Sequence, residues 1–160
     1  MRNDVYTEDI WEKCNTQNKE LLNDYILELK TRKRKESTLS IYKSDGRMVM
    51  CYIYLYKDNK SILSFKKKDF RDLTIWLQDV RKASNARFNG IYALLHGMLD
   101  YAEDEEETYG YDRNYSRKIK KLPREPKREV TFLTDEQITK LRQKLMELEM
   151  YRECAYLDIM

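Results

Sequence analysis

Residues Ser37 to Lys57 read STLSIYKSDGRMVMCYIYLYK, and the architecture turns on whether they are strand or helix. Asp45-Gly46 between apolar runs is a hairpin signal, and Met48 to Tyr56 is rich in residues that favour strands. A long helix capped at Ser37 competes with that reading and places Leu39, Tyr42, Val49, Ile53 and Tyr56 on one side. Local sequence leaves both open. The neighbouring segments lean to helix, because each carries helical periodicity and a lone hairpin would leave two uncovered edges.

Upstream, Thr7 to Lys13 reads as a short lead-in helix. Asn15 or Thr16 can cap the next helix, whose Leu21, Leu22, Tyr25, Ile26 and Leu29 share one face. That helix runs out in the cluster Lys30, Arg32, Lys33, Arg34 and Lys35, where positive charge suits a helix C-terminus. Downstream, Asp58-Asn59 starts a loop and Ser61 to Phe65 reads as extended. Lys66 to Lys68 lead into a helix with the stripe Phe70, Leu73, Trp76, Leu77 and Val80. Ser84 caps another, carrying Phe88, Ile91, Leu95, Met98 and Ala102 inward and ending in the acidic run at Glu103. A short helix is expected from Asn114 to Lys121. Pro123 and Pro126 then favour an extended strap. Thr134 to Gln137 is a capping box with Leu133 and Ile138 as its hydrophobic staple. It opens a helix through Leu141, Leu145 and Leu148, and Tyr151 to Met160 begins another.

The 160 residues are 41% hydrophobic, enough for one core of ordinary size. Only four Gly and two Pro occur, which favours long helices over a turn-rich β fold. The expected organisation is a lead-in (1–16), a helical domain (17–122), a basic linker (123–133) and the start of a second, truncated domain (134–160).

A net charge of +3 hides strong segregation. Lys57 to Arg87 holds nine basic residues and four acidic ones, and Arg113 to Arg128 holds eight basic residues against Glu125 alone. Glu103 to Glu107 is five acids in a row. Separated blocks of charge suggest a basic face, with nucleic acid as the first candidate partner. The bland alternative is solvated helix surface.

Catalytic signals are missing. His96 is the only histidine and has no Cys or His at ligand spacing. There is no phosphate-cradling glycine loop and no nucleophile with a matching base. Cys14, Cys51 and Cys154 have no metal-type spacing and read as thiols in a reducing cytoplasm. The acidic run lacks an alternating ligand pattern. No metal site, cofactor or membrane span is expected.

An ordered set of residues carries a family resemblance. Thr38-x3-Tyr42 and Asp45-x-Arg47 open one helix. A loop and a short helix end in Trp76-Leu77. Ser84-x2-Arg87 opens a long helix, and a basic strap leads to Phe132-Leu133-Thr134-Asp135-Glu136-Gln137-Ile138. This order resembles the core-binding domain of tyrosine recombinases, the phage-integrase family, and the start of their catalytic domain. The resemblance covers Asn18 to Met160. It departs at Gly46, where the family prefers a bulky apolar residue.

The resemblance implies an all-α, four- to five-helix orthogonal bundle of the SAM-like kind that grips one side of double-stranded DNA at a recombination site. Other recombinase protomers are the further partners it implies. The family's cleavage residues, the nucleophilic Tyr among them, would lie beyond Met160, so this chain alone is not expected to be a catalyst. In the family, the second and fourth bundle helices face the major groove. That implies DNA contacts from Thr38, Tyr42, Lys43 and Arg47, and from Ser84, Asn85, Arg87 and Asn89. Lys66, Lys67 and Lys68, with Lys118, Lys120, Lys121, Arg124, Lys127 and Arg128, would neutralise backbone charge. The competing class is a helical protein-interaction module without DNA affinity.

Overall fold

The structure is a computed structural model that describes residues 5–123 and 133–157. Its helices are α1 (Glu8–Lys13), α2 (Thr16–Thr31), α3 (Glu36–Tyr56), α4 (Lys67–Ile75), α5 (Asn85–Asp104), α6 (Glu106–Tyr109), α7 (Asp135–Glu147) and α8 (Tyr151–Leu157). No strand occurs among the described residues, so the chain is all-α there. It divides into two compact units, Met1–Glu125 and Pro126–Met160.

In the first unit, α3 runs unbroken through Asp45-Gly46. The glycine makes no turn. A Cβ at position 46 would lie 2.4 Å from Leu22 Cδ1, so its absence lets α2 and α3 approach closely. Two expectations about α3 need correction. It starts at Glu36 behind Lys35, which makes no side-chain cap bond, so Ser37 is not the cap. Tyr56 is 57% exposed rather than buried, because the fully buried seam moves to Val49, Met50, Cys51 and Ile53.

Asn15, not Thr16, caps α2, accepting from the amides of Gln17 and Asn18. The same asparagine ties α2 to the loop after α3. Its amide nitrogen donates to Asn59 Oδ1 at 2.7 Å, and its Nδ2 donates to the Asn59 carbonyl at 3.0 Å. Buried Asn18 adds a bond to the Lys60 carbonyl and accepts from the Ile62 amide at 2.8 Å. These bonds satisfy backbone groups that a turn would otherwise leave unpaired. The segment expected to be extended is in fact a 3₁₀ turn, Ile62–Ser64, started by the Ser61 hydroxyl. It buries Ile62 and Phe65 completely, and local propensity does not report that burial.

α4 begins with Asp69 accepting from the Lys66 amide at 3.0 Å, and Asp69 also holds Lys60 Nζ at 2.6 Å. Phe70, Leu73, Trp76 and Leu77 are buried as the stripe requires, but Val80 is 54% exposed. The cause is a π-helical turn, Trp76–Val80, closed by the Arg81 amide on the Trp76 carbonyl at 3.0 Å. An extra residue in the turn rotates the next side chains off the α-helical stripe. Tyr92 then pins α4 to α5, its hydroxyl donating to the Phe70 carbonyl at 2.8 Å.

Ser84 caps α5 by accepting from the Arg87 amide. All five expected inward residues of α5 are buried, joined by Tyr92, Leu94 and Leu99. At Gly97 an added Cβ would lie 2.1 Å from Tyr25 Oη, so α2 and α5 also approach over a glycine. The acidic run ends at Glu107 inside the short α6, which is closed by Gly110 in the left-handed conformation at φ 60°. Arg117 binds Asp100 and Glu103, each at 2.7 Å, and so partly neutralises the end of α5. The helix expected from Asn114 to Lys121 is only a 3₁₀ turn, Tyr115–Lys118, started by Asn114. His96 is half-buried beside it. Burial lowers its pKa, and the Ser116 backbone opposes that shift.

In the second unit the capping box is present. Thr134 Oγ1 accepts from the Gln137 amide, and Gln137 Oε1 accepts from the Thr134 amide at 3.0 Å. Leu133, Leu141 and Leu148 are exposed, however, and α7 buries no residue. Of the expected staple pair, Leu133 is exposed and Ile138 is half-buried.

Candidate nucleic-acid interface

The first unit carries a groove of about 590 Å³ lined by Val5, Tyr6, Ser40, Lys43, Ser44, Arg47, Met48, Arg81 and Arg87. Among the described residues four cations line it and no acid does. Three helical elements and the Val5–Tyr6 segment ahead of α1 build it. The spacing of Ser40, Lys43, Ser44 and Arg47 puts them on adjoining turns of one α3 face. Arg81 comes directly after the π-helical turn, and Arg87 sits in the first turn of α5.

Each arginine is supported differently. Arg47 Nη1 donates to the Tyr6 hydroxyl at 3.2 Å, and its guanidinium lies 5.2 Å from the Trp11 ring centroid and 5.7 Å from that of Tyr6. The guanidinium of Arg81 lies 5.7 Å from the Trp76 ring centroid, with Nη2 3.6 Å from Met48 Sδ. Arg87 forms an ion pair with Asp45, whose side chain is 1% exposed while that of Arg87 is 48% exposed. Burial pushes the Asp45 carboxyl above the usual carboxylate range, against the pull of Arg87. Lys43 is exposed.

Of the residues expected at DNA, the structure brings Lys43, Arg47 and Arg87 into this one groove. Thr38 is half-buried and lies outside the lining, as does Tyr42, which packs against the core. The Ser84 hydroxyl is engaged as a cap. Asn85 and Asn89 are engaged as well. Asn85 Nδ2 donates to the Pro123 carbonyl at 3.0 Å. Asn89 donates to the Leu122 carbonyl at 2.9 Å and accepts from the Leu122 amide at 2.9 Å. These two amides fasten residues 122–123 to the start of α5. Lys66, Lys67 and Lys68 are exposed at the start of α4 and do not line the groove. Lys118, Lys120 and Lys121 are exposed near the end of the first unit. Arg124, Lys127 and Arg128 lie outside the described residues.

Sequence reasoning missed Ser40, Ser44, Arg81 and the buried Asp45. The two serines carried a usable signal, since they alternate with Lys43 and Arg47 at helical spacing. Arg81 carried none, because only the π-helical turn sets its direction.

The groove can receive an anion. Guanidinium groups present paired donors that match phosphate oxygens, and serine hydroxyls add neutral donors. Among the described residues no three His, Cys, Asp or Glu side chains gather as a metal site, and no helix is long and apolar enough to cross a membrane. No family model matches the chain, nor does any curated protein or solved structure.

Proposed function

We propose that this chain is a DNA-binding module of the tyrosine recombinase kind. Its SAM-like helical bundle grips one side of the duplex at a recombination site, and its basic linker adds positive charge to that grip. Strand cleavage is not assigned to the residues described. The observation that carries the reading is the acid-free groove in which Lys43 and Arg47 of α3 meet Arg87 of α5, the two helices that the sequence resemblance assigns to the major-groove side. Lys118, Lys120 and Lys121 add charge on the approach to the linker. Lys43→Glu tests the groove with little risk to the fold, because Lys43 is exposed. It should weaken binding of a labelled duplex by about tenfold at low salt, for the loss of one favourable charge contact and the gain of a repulsive one. Unchanged affinity would remove the groove from the interface.

A second reading, a protein-interaction module, has one specific support. In the 133–157 unit Leu133, Leu141, Met146, Leu148, Met150 and Tyr151 are all exposed. Self-association by light scattering together with no DNA affinity would favour it.

A further inference from the structure

The supports beneath the arginines narrow the ligand. Arg81 rests on Trp76, Arg47 rests on Trp11 and Tyr6, and Arg87 rests on Asp45. Each support restricts side-chain rotation before any ligand arrives, which lowers the entropic cost of binding. The Asp45 support carries a desolvation cost, because its carboxyl is buried and the pull of Arg87 offsets that burial only in part. Its structural product is the placement of Arg87.

The cavity's position then separates two kinds of contact. A base edge stays on the floor of a duplex groove, and reading it needs a side chain that extends outward. A backbone phosphate projects from the duplex and can enter a recess. Arg47, Arg81 and Arg87 all line one recess, and the hydroxyl residues Ser40 and Ser44 border the same space. Planar guanidinium forks with neutral hydroxyls suit a tetrahedral group that carries several oxygens.

Building on the DNA-binding reading, we propose that the groove is a seat for a single phosphate diester of the duplex backbone. Arg81 and Arg87 are its principal ligands, and Asp45 and Trp76 are positioning residues for them. The contact fixes the register of the protein on the duplex and carries no sequence information.

Lysine variants of the two arginines test this, because they keep the charge and lose the fork. Arg81→Lys and Arg87→Lys should each lower duplex affinity roughly tenfold, the worth of one charge-assisted hydrogen bond, with the salt slope unchanged. Circular dichroism confirms that each variant is folded. In parallel, inorganic phosphate at constant ionic strength should shift the arginine side-chain Nε–H resonances of the full chain, and Arg81→Lys should diminish the shift that remains at Arg87. Duplex binding that is intact in both lysine variants, with no phosphate-induced shift, overturns the seat and leaves the DNA reading standing. Phosphate-induced shifts in a chain that binds no duplex overturn both the DNA reading and the duplex backbone as the occupant of the seat, and leave an anion site only. Asp45→Asn separates positioning from charge. It should weaken duplex binding although the groove gains positive charge, and tighter binding would overturn the positioning role.

Discussion

Replacing Gly97 by Ala should destabilise the first unit, and removing one oxygen atom from Tyr25 should remove most of that cost. In an open helix, Gly to Ala stabilises by about 1 kcal/mol. At position 97 the new Cβ would lie 2.1 Å from Tyr25 Oη, where ordinary contact begins near 3.4 Å. Tyr25 cannot swing away freely, since it is 8% exposed and its ring lies 6.0 Å from that of Tyr101. Forcing an atom into a packed site costs about 1–3 kcal/mol. With the upper part of that range set against the propensity gain, Gly97→Ala should lose about 1–2 kcal/mol. In a Tyr25→Phe background the nearest atom becomes Cζ at 3.0 Å. That contact is still tighter than ordinary, so the remaining crowding should offset the propensity gain and leave Gly97→Ala close to neutral there. The coupling energy is then about 1–2 kcal/mol, a value typical of residues in direct contact. Urea unfolding monitored by tryptophan fluorescence reads it, because both tryptophans, Trp11 and Trp76, lie in the first unit. If Gly97→Ala stabilises the wild-type chain, or costs the same with and without the Tyr25 hydroxyl, α2 and α5 do not meet as described.

The same packing sets three further outcomes. Gly46→Leu, which installs the bulky residue that the recombinase family prefers, should cost about 3 kcal/mol in the same urea assay, because Leu22 occupies that space; a variant as stable as wild type would contradict the α2–α3 contact. Cys14 Sγ lies 4.0 Å from Cys51 Sγ, and burial pushes the Cys14 thiol up and that of Cys51 to about 12. Both should therefore resist alkylation at neutral pH until the chain unfolds, and peptide mapping that finds Cys51 labelled in the native chain would refute this. Burial lowers the His96 pKa, so the unfolded chain takes up that proton first. Stability should fall as pH drops from about 6.5 through the folded pKa, and His96→Gln should flatten the melting temperature between about pH 7 and pH 5. Equal pH profiles for the two chains would show that His96 does not titrate in this way.

Much of the fold was legible because burial and helical period agree. The inward face of α5 and the capping box of α7 could be read residue by residue, since each depends on neighbours within a turn or two. The misreadings share a cause. Val80 leaves its stripe, and Arg81 enters the groove, because of one π-helical turn that no local preference announces. Gly46 resembles a hairpin signal until Leu22, distant in sequence, is seen beside it. Asn85 and Asn89 have the chemistry of phosphate ligands but bind the backbone at 122–123 instead. The site was legible only in part for the same reason. Lys43, Arg47 and Arg87 stood out by charge and helix position, whereas Trp11 beside Arg47 and Asp45 beside Arg87 are tertiary contacts.

Salt dependence of duplex affinity tests the central claim most directly. A labelled duplex titrated with the wild-type chain should bind at low salt, and its affinity should fall with a log–log slope between about −2 and −4, as for a few neutralised phosphates. No binding at the lowest salt, or an affinity that does not change with salt, would contradict a basic groove that holds DNA.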